Sequence, residues 1–163
     1  MRFKNFMTMA LAVMAFVFGV SACGSDDNDE PEVAVAAQVA GSYTGNEIFV
    51  VDNEESSNET KTYVFAKATD TAVDLTIPEV GMGMMTIPSF AVKGIALTKE
   101  GSIIKGKLAS YEGTAKGADG TDKAYTVTDL TALFSGNTVV VTFTMKYGRM
   151  PFPFVESFTG TRK

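Results

Sequence analysis

The chain has 163 residues, of which 45% are hydrophobic and 20% charged, with 14 Lys and Arg against 19 Asp and Glu. It contains one cysteine, no histidine and no tryptophan. These absences exclude a Ser-His or Cys-His nucleophile pair and a thiolate or imidazole zinc site. The acidic balance disfavours nucleic acid and anionic lipid headgroups as partners. We therefore expect roughly one domain with no metal, no cofactor and no nucleic-acid partner.

The first 22 residues have the pattern of a secretory signal peptide. Arg2 and Lys4 precede an apolar run from Met7 to Val20, and small residues surround the end of that run. The run is shorter than the roughly 18 to 20 residues that a membrane-spanning helix needs, and acids rather than cations follow it. The sequence therefore predicts a signal peptide at residues 1–22 in preference to an anchor helix.

The residues before the cysteine resemble the lipobox of bacterial lipoproteins, an aliphatic residue and two small residues ahead of Cys. They are Val20, Ser21 and Ala22, followed by Cys23. The resemblance implies cleavage before Cys23, a diacylglycerol on its sulfur and a third acyl chain on its new amino group. Two or more chains hold a protein stably on a membrane, whereas one holds it only marginally. The alternative is a free thiol that is reactive or forms an intermolecular disulfide.

An acidic segment follows the cysteine. Loss of the two leader cations leaves 12 Lys and Arg against 19 Asp and Glu, a net charge of −7. We interpret residues 23–38 as a solvated tether whose last part favours one or two helical turns. Its beginning resembles the signal that sends lipoproteins of Bacteroides-type bacteria to the outer face of the outer membrane, the alternative being a plain spacer. The residues of this signal are Ser25, Asp26, Asp27, Asp29 and Glu30.

Beyond Gly41 the apolar positions recur with a period of two, which is typical of half-buried antiparallel strands. Eight or nine such segments, separated by turn residues that include a predicted turn at 52–58, indicate one all-β barrel or sandwich at residues 39–163. A change of parity within 124–134 predicts a bulge. The predicted strands are Tyr43–Val51, Thr60–Ala68, Val73–Ile77, Ile87–Val92, Ile95–Lys99, Ser102–Tyr111, Ala124–Phe134, Thr138–Tyr147 and Phe154–Thr161.

Two predicted loops carry methionine and aromatic side chains that are candidates for binding or docking. Clustered thioethers are able to bind copper(I), but they also fill apolar gaps and form adaptable contact surfaces, and we favour the second use. Pro151 and Pro153 stiffen the second loop, whose aromatic groups would close one end of the domain or face a partner. The candidates are Met82, Met84 and Met85 in the first loop and Met150 and Phe152 in the second.

Acidic residues suggest two further kinds of site. The spacing of Asp119, Gly120 and Asp122 is faintly similar to a calcium loop, but the remaining ligands are missing and a hairpin turn is favoured. Paired carboxylates would still allow the acid catalysis of a hydrolase. The acids that fall within predicted strands are Glu47, Asp74, Asp129 and Glu156.

Segments at both ends of the predicted domain carry a family resemblance. The sequences VAGSYTG at 39–45 and FTGTRK at 158–163, with VDLTIPEV and TIPSFAVKGIAL between them, resemble the calycin-like β-barrel domain of secreted Bacteroides-type lipoproteins. The resemblance implies about eight antiparallel strands around an interior that is filled or holds one small ligand. In the broader lipocalin group a Trp stacks beneath an Arg at one barrel end; here Tyr43 stands at the Trp position, and Arg162 or Lys163 would supply the cation.

These observations lead to three hypotheses. The first is a non-enzymatic surface lipoprotein, anchored in the outer membrane through Cys23, that binds a small apolar ligand or a glycan. The second is an interaction subunit with a filled barrel that docks a partner protein through the MGMM and MPFPF loops. A distant third is a hydrolase that depends on carboxylates.

Replacement of Cys23 tests the predicted anchor. Cys23→Ala should leave an unacylated precursor, because the sulfur that accepts the diacylglycerol is gone. Metabolic labelling with a palmitate analogue measures this, and the variant should carry no label where the wild-type chain does. Unchanged labelling of the variant would contradict the assignment.

Overall fold

Eight antiparallel strands form a closed barrel in which each strand pairs with the next and the last pairs with the first. The computed structural model describes residues 33–81, 86–117 and 119–163, apart from the side chain of Ser56. The predicted leader, the lipobox, Cys23 and the acidic export signal lie outside the described residues. Within the described ranges no helix is long and apolar enough to cross a membrane.

The barrel confirms the prediction of about eight antiparallel strands and resolves the choice between barrel and sandwich. A short helix precedes it, in agreement with the one or two helical turns expected there. The elements are α1 (Val35–Val39), β1 (Gly41–Val51), β2 (Glu54–Thr69), β3 (Ala72–Ile77), β4 (Phe90–Glu100), β5 (Ile103–Lys116), β6 (Asp122–Ser135), β7 (Thr138–Tyr147) and β8 (Phe154–Arg162).

The period-two pattern explains which residues form the core. In β7 every second residue from Val139 to Tyr147 is buried, while the threonines between them lie on the outer face. Aromatic side chains pack in the barrel interior; near α1 the rings of Tyr43, Phe65 and Phe134 contact one another with centroids 4.9–5.9 Å apart. Each aromatic side chain removes a large apolar surface from water, so this interior packing stabilises the fold.

The structure confirms one sequence prediction about the strands, the bulge in β6, and corrects two others. The bulge in β6 is confirmed: Asp129 has a φ of 55°, and the β6–β7 register shifts between Thr128 and Thr131. The predicted strands 87–92 and 95–99 are wrong as separate elements, because β4 continues through both. The turn predicted at 52–58 is also wrong in extent, since only Asp52 and Asn53 turn and the polar residues after them pair with β1. Pairing with β1, in which Phe49 lies opposite Ser57, thus overrides the low strand propensity of these polar residues.

Antiparallel topology divides the connections between two ends of the barrel. The helix end carries α1 and the β2–β3, β4–β5 and β6–β7 turns. The loop end carries the β1–β2 and β5–β6 turns and the connections at 78–89 and 148–153. Both predicted docking loops therefore leave the barrel at the same end.

The helix end is held by a clamp of Tyr43 and Arg162. The Tyr43 hydroxyl donates to the Val39 carbonyl at 3.0 Å, and the Arg162 guanidinium lies over the Tyr43 ring, 5.8 Å from its centroid. Arg162 also donates from Nη1 to the Gln38 carbonyl at 2.9 Å and from Nη2 to the Ala40 carbonyl. These carbonyls lie at the end of α1, where the helix itself leaves acceptors unsatisfied. Arg162, rather than Lys163, thus provides the cation at this end.

Removal of the guanidinium tests the clamp. Arg162→Ala should lower the free energy of unfolding by about 2 to 3 kcal/mol, because hydrogen bonds to charged groups each contribute about 1.5 to 3 kcal/mol. Lys163→Ala is the matched control: it removes the neighbouring cation, whose side chain is exposed, and should change stability by less than about 0.5 kcal/mol. Chemical denaturation measures both, and equal losses in the two variants would contradict the clamp.

Candidate functional site

The hydrogen-bond ladder between β4 and β5 covers only part of these strands. It runs from Ala96 paired with Lys107 to Glu100 paired with Ile103, at the helix end. Toward the loop end, residues 90–95 of β4 and 108–116 of β5 have no ladder between them. We call this opening in the barrel wall the β4–β5 gap.

A bulge in β4 accompanies the gap. The β3–β4 register shifts between the pairs Val73–Ile95 and Leu75–Val92, which leaves Lys93 and Gly94 opposite Asp74. Gly94 has a φ of +73°, a conformation that costs other residues about 1 to 2 kcal/mol, and its N–H donates to Asp74 Oδ1 at 2.9 Å. Bulges bend and twist a strand. This bulge therefore changes the direction of β4 between its helix-end half, which pairs with β5, and its loop-end half, which does not.

Tyr125 forms the floor of the gap. It lies on β6, crosses Gly113 of β5 and donates from its hydroxyl to the Ala91 carbonyl of β4 at 2.6 Å. A Cβ at Gly113 would overlap the Tyr125 ring, so only glycine leaves room for this crossing. Burial, with a smaller effect of Tyr111, raises the pKa of Tyr125 to about 12, so the hydroxyl keeps its proton and remains a donor. The tyrosine thereby replaces one of the missing ladder bonds.

The gap encloses a cavity of ≈ 510 Å³ that is open to solvent. Its aromatic rings are in contact: the Tyr125 centroid lies 5.1 Å from that of Phe90 and 6.1 Å from that of Tyr111. Phe90 and Tyr125 are buried, whereas Tyr111 is partly exposed and presents its ring to the cavity. The remaining lining residues are Thr76, Ser89, Ala91, Lys93, Gly113 and Thr114. The site therefore combines aromatic surface, hydroxyl groups and one cation.

A second polar cluster lies inside the barrel, where Glu47 of β1 and Glu156 of β8 are 1% and 0% exposed. The Tyr63 hydroxyl lies 2.9 Å from Glu47 Oε2 and 3.1 Å from Glu156 Oε1. The other two carboxyl oxygens, Glu47 Oε1 and Glu156 Oε2, have no hydrogen-bond partner in the described part of the chain. One tyrosine thus connects the two acids across the seam between the first and last strands.

Burial and mutual repulsion set the protonation of this cluster. Burial, reinforced by the neighbouring Glu47, raises the pKa of Glu156 to about 9, and burial also raises the pKa of Glu47. Lys61 opposes these shifts only weakly, because its ammonium binds Glu59 at 2.8 Å and the Glu79 carbonyl at 2.9 Å. A protonated Glu156 reduces the repulsion between the two buried acids, and its proton and that of the Tyr63 hydroxyl are both available for the contacts among these three side chains.

The acid pair bears on the hydrolase hypothesis. The two oxygens that share the Tyr63 hydroxyl lie 2.9 and 3.1 Å from it and are thus no more than 6.0 Å apart, so the acids are paired as the hydrolase hypothesis requires. Catalysis also needs contact with the substrate, yet both side chains are enclosed and neither lines the β4–β5 gap. The pair acts as a hydrogen-bonded link between β1 and β8.

The predicted docking residues that the structure describes, Met150 and Phe152, do not line the gap. Phe152 is 53% exposed at the loop end, whereas Met150 packs against the core. Met82, Met84 and Met85 lie outside the described residues; the flanking Val80 and Ile87 form an isolated bridge. In the predicted hairpin, Asp119 Oδ1 accepts the Thr121 N–H and hydroxyl.

Sequence reasoning missed Lys93, Tyr111 and Tyr125. Only the interruption between the predicted strands 87–92 and 95–99 indicated an irregularity at this place, since it falls at the bulge.

Comparison with known proteins identifies the family. Residues 39–161 match the calycin-like beta-barrel domain, which is three quarters of the chain. The chain belongs to the calycin-like β-barrel family. No curated protein matches the sequence. One solved structure with a similar fold is a crystal structure of a "putative outer membrane protein" from Bacteroides fragilis. The two chains are 21% identical, superpose with a TM-score of 0.62, and the match covers 80% of this chain. This chain spans about half the length of that protein, 53%.

The pH dependence of stability tests the protonated pair. Between pH 4.5 and about 9 the folded calycin-like barrel keeps a proton on Glu156 that the unfolded chain has lost. The free energy of unfolding should therefore fall as pH rises through this window, by up to about 1.4 kcal/mol per pH unit. Glu156→Gln should remove most of this decline, because the amide does not ionise.

Denaturant titrations from pH 5 to pH 9 measure the effect. Glu112→Gln, at an exposed position of β5, is the control and should keep the wild-type slope. A wild-type stability that does not fall between these pH values would contradict the protonated pair.

Proposed function

We propose that this calycin-like barrel is a non-enzymatic, lipid-anchored protein of the outer membrane that binds a small ligand in the β4–β5 gap. The observation that carries the proposal is the solvent-open cavity of ≈ 510 Å³ with an aromatic floor. Ligand sites are typically concave, about 300 to 1,000 Å³ in volume, and combine apolar surface with a few placed polar groups. The β4–β5 gap has a volume in this range and brings Phe90, Tyr111 and Tyr125 together with hydroxyl groups and one ammonium.

The lining favours a sugar over a purely apolar molecule. A sugar ring has one flat face of C–H groups, which stacks on an aromatic ring such as that of Tyr111. Its hydroxyl groups need donors and acceptors, and Thr76, Ser89 and Thr114 line the cavity; Ser89 Oγ donates to the Ile77 carbonyl at 2.8 Å. An apolar ligand that covered Thr76 and Thr114 would deprive their hydroxyls of water, at a cost in free energy. We therefore infer that the ligand is a glycan or a similarly hydroxylated molecule.

Two further observations support the location. Residues 20–23 resemble a lipobox, which implies an acylated Cys23 at the beginning of the mature chain, and the acidic residues after it resemble a surface-export signal. The structural neighbour from Bacteroides fragilis carries the description "putative outer membrane protein".

A protein-docking role is the second candidate function. It is favoured by Phe152, which is 53% exposed beside two prolines at the loop end. Because Met150 packs against the core instead, the surface that this loop offers depends on a single aromatic ring. The gap offers a larger and more varied site, so ligand binding is the better-supported function.

Truncation of Tyr111 tests the proposed site. Tyr111→Ala should weaken the binding of oligosaccharides at least about tenfold, because the stacking surface is lost. Phe152→Ala removes an exposed aromatic outside the gap and should leave binding unchanged. Isothermal titration of neutral-hexose and uronic-acid oligosaccharides gives the affinities, and the amide NMR signals of Ala91 and Gly113 report the place.

Several outcomes would contradict the proposal. Binding that Phe152→Ala weakens and Tyr111→Ala does not would place the site at the loop end. Titration with dodecan-1-ol, which has no charge, that shifts the Ala91 and Gly113 signals, while no oligosaccharide does, would favour an apolar ligand instead.

A further inference from the structure

Lys93 is the charged side chain among the residues that line the β4–β5 gap. It is exposed and makes no ion pair within residues 33–81, 86–117 and 119–163. Asp74 lies across from it on β3 and accepts the N–H of Gly94 at Oδ1, and no ion pair joins this carboxylate to Lys93. Five other lysines do pair with acids: Lys61, Lys67, Lys105, Lys116 and Lys123. An unpaired ammonium thus stands at the rim of the cavity.

The rim of the gap carries a positive charge. The gap is lined by one cation and no acid, whereas residues 33–163 together contain 12 Lys and Arg against 14 Asp and Glu. A ligand with an anionic group would find a counter-charge at Lys93. Charge complementarity of this kind determines which ligand is accepted more than how tightly it is held.

The form of the anion follows from the rest of the lining. The aromatic ring of Tyr111 suits a sugar ring, and the hydroxyls of Thr76 and Thr114 suit its hydroxyl groups. An ammonium group binds a carboxylate through a charge-assisted hydrogen bond. A sugar acid combines a stacking ring, hydroxyl groups and a carboxylate in one monosaccharide unit, and its carboxylate is attached directly to the ring.

We infer that the gap selects a sugar that carries a carboxylate, as uronic acids do. The sugar ring lies on Tyr111, its carboxylate binds the Lys93 ammonium, and its hydroxyls contact Thr76 and Thr114. The bulge at Gly94, fixed by Asp74, positions Lys93 at the rim. This inference rests on the proposed function of the gap and names the class of ligand.

The test uses ligand pairs that differ only in the carboxylate. The probes are oligosaccharides of galacturonic, glucuronic and mannuronic acid, each compared with its carboxyl-reduced counterpart of the same linkage. The variants are Lys93→Met, which keeps an apolar stem without the charge, Lys93→Arg, which keeps the charge, and Lys107→Met, an exposed lysine outside the gap. Affinities come from isothermal titration at low and high salt, and the amide signals of Ala91 and Gly113 report the site.

The wild-type protein should bind at least one acidic oligosaccharide about fivefold more tightly than its reduced counterpart, and salt should diminish the difference. Lys93→Met should abolish the preference, because it weakens the binding of the acidic form more than that of the reduced form. Lys93→Arg and Lys107→Met should both retain the preference.

Other outcomes overturn the inference in distinguishable ways. Equal binding of acidic and reduced forms would overturn the selection of a carboxylate and leave the proposed glycan site standing. A preference that survives Lys93→Met would overturn the role of Lys93. If no oligosaccharide binds or shifts the Ala91 and Gly113 signals, the inference and the proposed function both fail.

Discussion

Pairing of the first strand with the last closes the barrel, and the other features depend on this seam. Gly45 of β1 lies so close to the β8 backbone that a Cβ would overlap the Thr159 carbonyl. Gly160 of β8 leaves room for the Phe158 ring, which stacks on Tyr63 with centroids 3.9 Å apart and planes at 5°. Tyr63 in turn holds the two buried acids, one from each strand. Glycine backbone, aromatic stack and acid pair therefore form one continuous structure at the seam.

Closure of the barrel also explains why backbone groups at the gap need other hydrogen-bond partners. In a closed barrel every strand has two neighbours, so a missing stretch of ladder leaves backbone groups without partners on both sides. Tyr125 satisfies the Ala91 carbonyl from the next strand but one, and Asp74 satisfies the N–H of Gly94. Both replacement hydrogen bonds come from side chains, and two such bonds close less of the barrel wall than a continuous backbone ladder would. The opening that remains is large enough for a ligand while the barrel stays closed elsewhere.

The sequence predicted local features far better than this gap. Alternation in segments such as 138–147 marks each strand because burial of one face requires it, and the parity change near Asp129 marked the bulge for the same reason. Glu47 shares parity with buried neighbours, but its partner Glu156 belongs to the other end of the chain, so only the closed topology reveals that they meet. The gap depends on a ladder that stops, and no residue type encodes where two strands separate. Gly94 and Gly113 become informative only once their neighbours in space are known.

The two polar clusters differ in their exposure to solvent: Glu47 and Glu156 are enclosed, whereas the β4–β5 gap is open. We therefore assign the acid pair to the structure of the barrel and keep the gap as the proposed binding site. Burial of an acid pair gains little stability over apolar packing, but a register error in β1 or β8 would leave both acids without Tyr63. We interpret the pair as a device that specifies the correct closure. The gap lies instead at the wall and is open to solvent. Because closure is fixed at the seam, the ligand proposed for the gap between β4 and β5 would meet a preformed site and would bind without the cost of ordering it.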